Sequence, residues 1–403
     1  MGKFFRIFLI FVLILISGGI YVQFLLLNGP ENYWRQAQQL AKQNDPKSHE
    51  FLVKAAQAGH LEAMWLLGQK PDNSPQGLNY QKAYPWLAQA AINGHVLAQV
   101  RLATLFGTGD NFPKSPVRAF YWWSKAARNG HRGAQYQVYL ALETGQGVKS
   151  DPQKARGWLN RAAAMSEPNA LYRLGLFLTQ GLDPPQGAQL WLKAANLGHP
   201  EAQHGLAVLY ENGHGLEQDP SQAFYWMTRA AESGVIPAQQ ALGVYYDSGL
   251  GTEINFAKAF QWFQRAADHG HAAAQNNLGV YYSQGRGTPK DEALAAQWFL
   301  KAALLNNLEA QFNLALVYAN GQGLPQDYAL AAEWLKKAAD RGFAKAQFFM
   351  GVYHEVGGLG GVPKDPAIAL TWYAKAADQG LDEAKERLEA LRLGAMNAYL
   401  GLD

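Results

Sequence analysis

The sequence predicts an all-α protein: a right-handed α/α superhelical solenoid of about ten helix pairs, preceded by one N-terminal transmembrane helix. Three observations predict it. An Ala-Ala pair recurs about every 36 residues. A Trp and a Gly stand at fixed distances on either side of it. Ahead of the first pair, residues 7–27 hold no charged side chain. Composition agrees. Of 403 residues, 48% are hydrophobic and 17% charged, against roughly 25% charged in typical soluble domains. A chain so apolar is not disordered. There is no cysteine, which excludes disulfides, thiolate metal sites and a cysteine nucleophile. The formal net charge is +3, so no nucleic-acid partner is expected.

The N-terminus comes first. Residues 1–6 form a short tail with Lys3 and Arg6. Ile7 to Leu27 is interrupted only by Ser17, Gln23 and glycines, and a helix of about 20 residues crosses a bilayer. A cleaved signal with its small-residue site at Ser17-Gly18-Gly19 is the rival reading. The apolar run resumes at Ile20, which favours an uncleaved anchor. The basic, acid-free tail places the N-terminus on the cytoplasmic side. The expectation is a single-pass inner membrane protein with its solenoid in the periplasm of a bacterial cell envelope. Residues 31–46 read as an N-terminal capping helix, and residues 393–403 as a C-terminal tail.

Residues 47–392 carry the repeat. The first Ala of each pair is Ala55, Ala90, Ala126, Ala162, Ala194, Ala230, Ala266, Ala302, Ala338 and Ala376. Four residues earlier stands Trp in eight of them, for example Trp226, Trp262 and Trp298. Four residues later stands Gly, as at Gly234 and Gly270, with Ser166 and Asn306 as the exceptions. Asp219-Pro220 opens one such segment. The carboxylate can cap backbone N–H groups, and proline at the first helical position loses nothing. Ala223, Trp226 and Ala230 then share one helical stripe. Gly234 supplies the left-handed residue that ends the helix. A second helix type follows the glycine and reads Ala-Gln-x-x-Leu-Gly-x-x-Tyr, as in Ala274, Gln275, Leu278, Gly279 and Tyr282. It stops at a Gly-x-Gly turn such as Gly285/Gly287.

This unit resembles the Sel1-like repeat, a family related to tetratricopeptide repeats that shares their Leu-Gly-x-x-Tyr. The resemblance covers roughly residues 47–392. It implies stacked helix pairs with an extended concave surface lined by the Ala-Gln helices. Departures mark turns. Pro71–Pro75 replaces the first Gly-x-Gly, the loop at Gly181–Pro185 is shortened, and that at Gly357–Gly361 is lengthened.

Positions two, six and nine after the first Ala of each Ala-Gln helix are expected to face the groove. They give Tyr136, Tyr172, His204, Gln240, Asn276, Phe312 and Phe348 at position two, and Glu143, Glu211, Asp247 and Glu355 at position nine. Position six is mostly Val or Leu. Aromatic anchors with carboxylates suit a protein or peptide segment, although aromatics at helical spacing also serve as core. His60, His95, His131, His199 and His271 each follow the helix-ending Gly. Spaced a repeat apart, they cannot converge on one ion, so no metal is expected. No glycine-rich turn follows a strand in a phosphate-binding pattern, and no serine sits in a nucleophile elbow. No cofactor and no catalysis are expected. The function expected is a membrane-tethered protein–protein interaction scaffold. The alternative is a cell-wall fragment or β-lactam binding module, or a hydrolase, on the same groove. Relatives associated with β-lactams resemble a cysteine-paired subgroup, and this chain has no cysteine.

Overall fold

The computed structural model describes residues 29–69, 72–74, 77–79, 83–110 and 112–400. Among these residues the chain is a succession of helical hairpins in two compact units, residues 1–174 and 175–403. The first unit holds α1 (Pro30–Lys42), α2 (Lys47–Gln57), α3 (Leu61–Gln69), α4 (Tyr84–Ile92), α5 (Val96–Thr108), α6 (Pro116–Arg128), α7 (Arg132–Thr144) and α8 (Pro152–Ala164). The boundary falls within α9 (Pro168–Phe177). The second unit continues with α10 (Pro184–Asn196), α11 (Pro200–Asn212), α12 (Pro220–Glu232), α13 (Ile236–Ser248), α14 (Phe256–Asp268) and α15 (Ala272–Gln284). It ends with α16 (Glu292–Leu304), α17 (Leu308–Asn320), α18 (Tyr328–Asp340), α19 (Ala344–Val356), α20 (Pro366–Asp378) and α21 (Asp382–Leu400). Odd-numbered helices are the first of each pair and even-numbered ones the second.

Caps explain the boundaries. Asp219 accepts hydrogen bonds from the N–H groups of Ser221 and Gln222 at 2.9 and 3.0 Å. Ser115, Asp151, Asp183, Asn255, Asp291, Asp327 and Asp365 do the same for their helices. Five of the first helices use histidine. Nδ1 of His60, His95, His131, His199 and His271 accepts from the N–H three residues on. The recurring histidine is therefore an N-cap. Second helices end on a left-handed residue: Gly270 has φ +80°, and Ser166 and Asn306 take +55° and +64° in the same role.

The core follows the sequence stripe. Ala266, Ala267, Leu278 and Phe263 are buried. The ring of Phe299 lies on Gly279, where a Cβ would stand 2.5 Å from it. Trp298 packs partly buried against the Phe263 cluster of the preceding repeat, so tryptophans do join neighbouring units. Their outer faces are covered by a basic residue one turn on, as Lys301 over Trp298 at 3.9 Å and Lys337 over Trp334 at 4.0 Å.

A buried glutamine fixes seven of the first helices to the helix before. Nε2 of Gln99, Gln135, Gln203, Gln239, Gln275, Gln311 and Gln347 donates to the carbonyl of the second Ala in the preceding pair, at 3.0–3.3 Å. That carbonyl belongs to a helix end, where intrahelical donors run out.

Four differences from the sequence expectation appear. The segment after α3 forms a short antiparallel ribbon, β1 (Asp72–Ser74) with β2 (Gly77–Asn79). It lacks Gly-x-Gly and helical periodicity, so two extended stretches pair instead. The shortened loop is a π-helical turn, Leu178–Leu182, and the lengthened one is a 3₁₀ turn, Leu359–Gly361. The final helix runs to Leu400, beyond residue 392, because Gly394 alone does not stop it. Lastly, the expected localisation is corrected. No helix among the described residues is long and apolar enough to cross a membrane, which conflicts with a single-pass inner membrane protein bearing a periplasmic solenoid. The stretch over residues 7–27, on which that expectation rested, lies outside the described residues.

Candidate functional site on the first-helix face

Three of the four acids at position nine are engaged. The phenol of Tyr245 on α13 donates to Glu211 Oε2 on α11 at 2.8 Å. Tyr281 on α15 donates likewise to Asp247 on α13, which also pairs with Arg286 at 3.2 Å. Tyr373 on α20 donates to Glu355 Oε2 at 2.8 Å, and Arg387 on α21 holds the same carboxylate. Burial, reinforced by the acceptor acid, pushes the Tyr245, Tyr281 and Tyr373 phenols well up. They remain donors at any physiological pH. Burial would raise Glu355, but the hydrogen bonds from Arg387 and Tyr373 outweigh it and hold the carboxyl below its ordinary range. Glu143, in the first unit, is exposed.

The position-two residues divide. Asn276 is buried; it accepts from Asn313 Nδ2 at 2.9 Å and donates to Glu309 at 3.3 Å. Phe312 is 8% exposed and packs on Phe343 and Phe349. Phe348 is half-buried between Phe349 and Tyr373. Tyr136, Tyr172, His204 and Gln240 are also half-buried. Burial raises the Tyr136 phenol, with Tyr139 beside it adding to the effect. Burial lowers His204, against the pull of Glu211. At physiological pH His204 is thus a neutral ring.

The Val and Leu residues at position six are half-buried apart from Val244, which is 40% exposed, and they line two pockets. One, of about 260 Å³ in the second unit, is bordered by Val280, Leu316, Asn313 and the Lys290–Glu292 ion pair. The other, of about 620 Å³ in the first unit, includes Leu140, Thr104, Gln137 and Trp123. Two kinds of residue escaped the sequence reading. Position three, represented by Gln137 and Asn313, shares this face. The tyrosines at position seven hold the acids. A separation of 34 residues between Glu211 and Tyr245, repeated between Asp247 and Tyr281, was the available signal. Among the described residues no group of three or more His, Cys, Asp or Glu is placed to hold a metal ion.

Comparison with known proteins places this geometry. No curated protein matches the chain. A protective antigen of uropathogenic Escherichia coli, solved as displaying an SLR fold, is similar over 92% of this chain and 89% of its own, with 25% identity and a TM-score of 0.67. A Sel1 repeat protein from Oxalobacter formigenes is 34% identical over 75% of this chain and 89% of its own, with a TM-score of 0.53. The Sel1 repeat family matches residues 33–60, 61–95, 96–131, 134–167, 168–199, 200–235, 236–271, 272–307, 308–343 and 344–381. Helix α1 is accordingly the first helix of the first repeat. Ten consecutive matches, each spanning one helix pair, show that the chain belongs to the Sel1 repeat family.

Proposed function

We propose that the chain is an interaction scaffold that binds a peptide or protein segment along its first-helix face. Sel1 and tetratricopeptide-like repeats generally mediate protein–protein interaction. In this reading the pairs of each unit wind right-handed with the first helices inward. Tyr136, Tyr172, His204, Gln240 and Phe348 contact the partner, with Glu143, Glu211, Asp247 and Glu355 along one edge. Asn276 and Phe312 support the surface from beneath.

One observation carries the reading. Most side chains of this face that could do chemistry are tied to the scaffold: three carboxylates hold tyrosines, and the repeated histidines cap helices. What the face offers is shape, apolar patches and pockets, which is what recognition uses. A photo-crosslinking residue at Gln240 or Tyr172 of the full chain tests it in native cells. Adducts with other proteins are expected from these positions and not from exposed Lys336 on the second-helix side. Adducts formed from Lys336 alone would overturn the reading.

A further inference from the structure

The pocket in the first unit exists where an alanine meets a ring that elsewhere meets a glycine, and where a small residue replaces a larger one. In later repeats the ring of Phe263, Phe299 or Tyr373 lies on a first-helix glycine, Gly243, Gly279 or Gly351, where a Cβ would come within 2.5–2.7 Å. The corresponding position on α5 is Ala103, so that Cβ is present; Ala207 and Ala315 stand there in α11 and α17, but the residues twenty further on are Met227 and Leu335, not a ring. The corresponding ring is Trp123, and it stands half-exposed where its counterparts are buried. The second departure is Ala141, at position seven of α7. Leu209, Tyr245, Tyr281, Val317 and Tyr353 occupy that position in other repeats. The displaced ring and the missing large side chain leave about 620 Å³, within the range of roughly 300–1,000 Å³ that holds ligands.

The charge at its rim is equally particular. Lys114 is the one charged residue lining the pocket among the described residues. Its counterpart Lys290 is neutralised by Glu292 at 2.7 Å. Pro116 stands where Glu292 would be, and the neutral Ser115 replaces the capping Asp291. Lys114 therefore has no ion-pair partner among the described residues, and it sits beside an apolar space bounded by Trp123 and Leu140.

We infer that this pocket takes an aromatic side chain of a bound protein segment whose neighbouring Asp or Glu side chain pairs with Lys114. The aromatic ring fills the volume that Tyr245 or Tyr281 fills elsewhere, as a buried anchor. The carboxylate makes the charge-assisted bond that Glu292 makes to Lys290. The inference rests on the protein-binding reading of the first-helix face and names the chemistry of what binds there.

The test uses terminally blocked, labelled decapeptides holding one Glu-Trp step in a Gly/Ser background, read by fluorescence anisotropy against the full chain. Replacing Trp by Ala, or Glu by Lys, should weaken binding about tenfold or more. Ala141→Tyr fills the pocket and should weaken the Glu-Trp peptide about tenfold while the chain keeps its helical circular dichroism. Lys114→Glu should invert the preference between the Glu and Lys peptides, and it decides the matter alone if Ala141→Tyr does not fold. Equal binding of all the peptides, a preference unmoved by Lys114→Glu, or binding that needs a free C-terminal carboxylate overturns the inference. Crosslinking from Gln240 or Tyr172 that persists alongside such a result leaves the broader reading standing and removes only this one.

Discussion

The glutamine near the start of seven first helices can work in two directions. Nε2 reaches back to the preceding second helix. Oε1 points to the end of the following one, where Asn129 Nδ2 meets Gln99 at 3.1 Å, Ser233 Oγ meets Gln203 at 3.4 Å and Gln379 Nε2 meets Gln347 at 2.7 Å. In the other four repeats that end carries Met165, His269, Leu305 or Arg341. There Oε1 of Gln135, Gln239, Gln275 and Gln311 is buried with no hydrogen-bond partner among the described residues. An unsatisfied buried acceptor costs about 1–3 kcal/mol. Leu305 is 52% exposed, so Leu305→Asn gives up little packing. It should raise stability by about 1 kcal/mol, read as a higher urea midpoint; an unchanged midpoint counts against the two-way amide. Glycines separate by cause. A Cβ at Gly270 meets nothing within 4 Å, so Gly270→Ala should cost about 1 kcal/mol through φ alone. Gly279→Ala must also displace the Phe299 ring and should cost more, up to about 3 kcal/mol. The first role was legible in the sequence because it is local to one helix end. The second was not, because it depends on a ring twenty residues further on.

Elements are held by two systems that pH and mutation can tell apart. Histidine caps need a neutral Nδ1. Burial, with Arg132 adding, lowers His131, and burial lowers His271. In the unfolded chain these rings take a proton near the ordinary value of 6.5. Their contribution is therefore complete above that pH and disappears as pH falls through the lowered native values. The melting temperature should fall on acidification below 6.5, before the carboxylates titrate, and the double variant His131→Asn, His271→Asn should flatten that slope. The second system is the acid–tyrosine pairing between successive first helices. Glu211 and Asp247 hold Tyr245 and Tyr281, but Ala319 stands at position nine before Tyr353, whose buried hydroxyl has no partner among the described residues. Tyr245→Phe should cost about 1–2 kcal/mol, whereas Tyr353→Phe should be neutral or stabilising in the same denaturation assay. Caps at Asp219 or Ser115 were readable from the residues beside them. The acid–tyrosine pairs were not, because Glu211 alone does not say which neighbouring helix will approach it.

At the scale of the molecule, each repeat leans chiefly on its sequence neighbours, so stability is local. Gly279→Ala should speed amide exchange in α13 to α18 and leave α5 to α8 unchanged; equal acceleration in both units would refute that locality. The period and the helix pairing were visible along the chain because Ala-Ala, Gly and the caps recur at about 36 residues. Residues 31–46 were harder to read because their Ala37-Gln38 is followed by no Leu-Gly-x-x-Tyr, and α1 is nonetheless the first helix of a repeat. The first-unit pocket was hidden for another reason: Ala103 and Ala141 are unremarkable alanines until they are set against the glycine and tyrosine of their counterparts.

The two-way amide also bears on how such a chain changes length over evolutionary time. Gln239 and Gln275 bond only the helix end behind them, and Gln203 bonds that end and the one ahead. A tandem duplication of residues 236–271 would bring Gln239 of the new copy against Ala267 of the old, a contact of the same kind as the one it makes with Ala231. Gain or loss of a whole period leaves every junction chemically familiar, whereas an indel of a few residues inside a helix breaks two junctions at once.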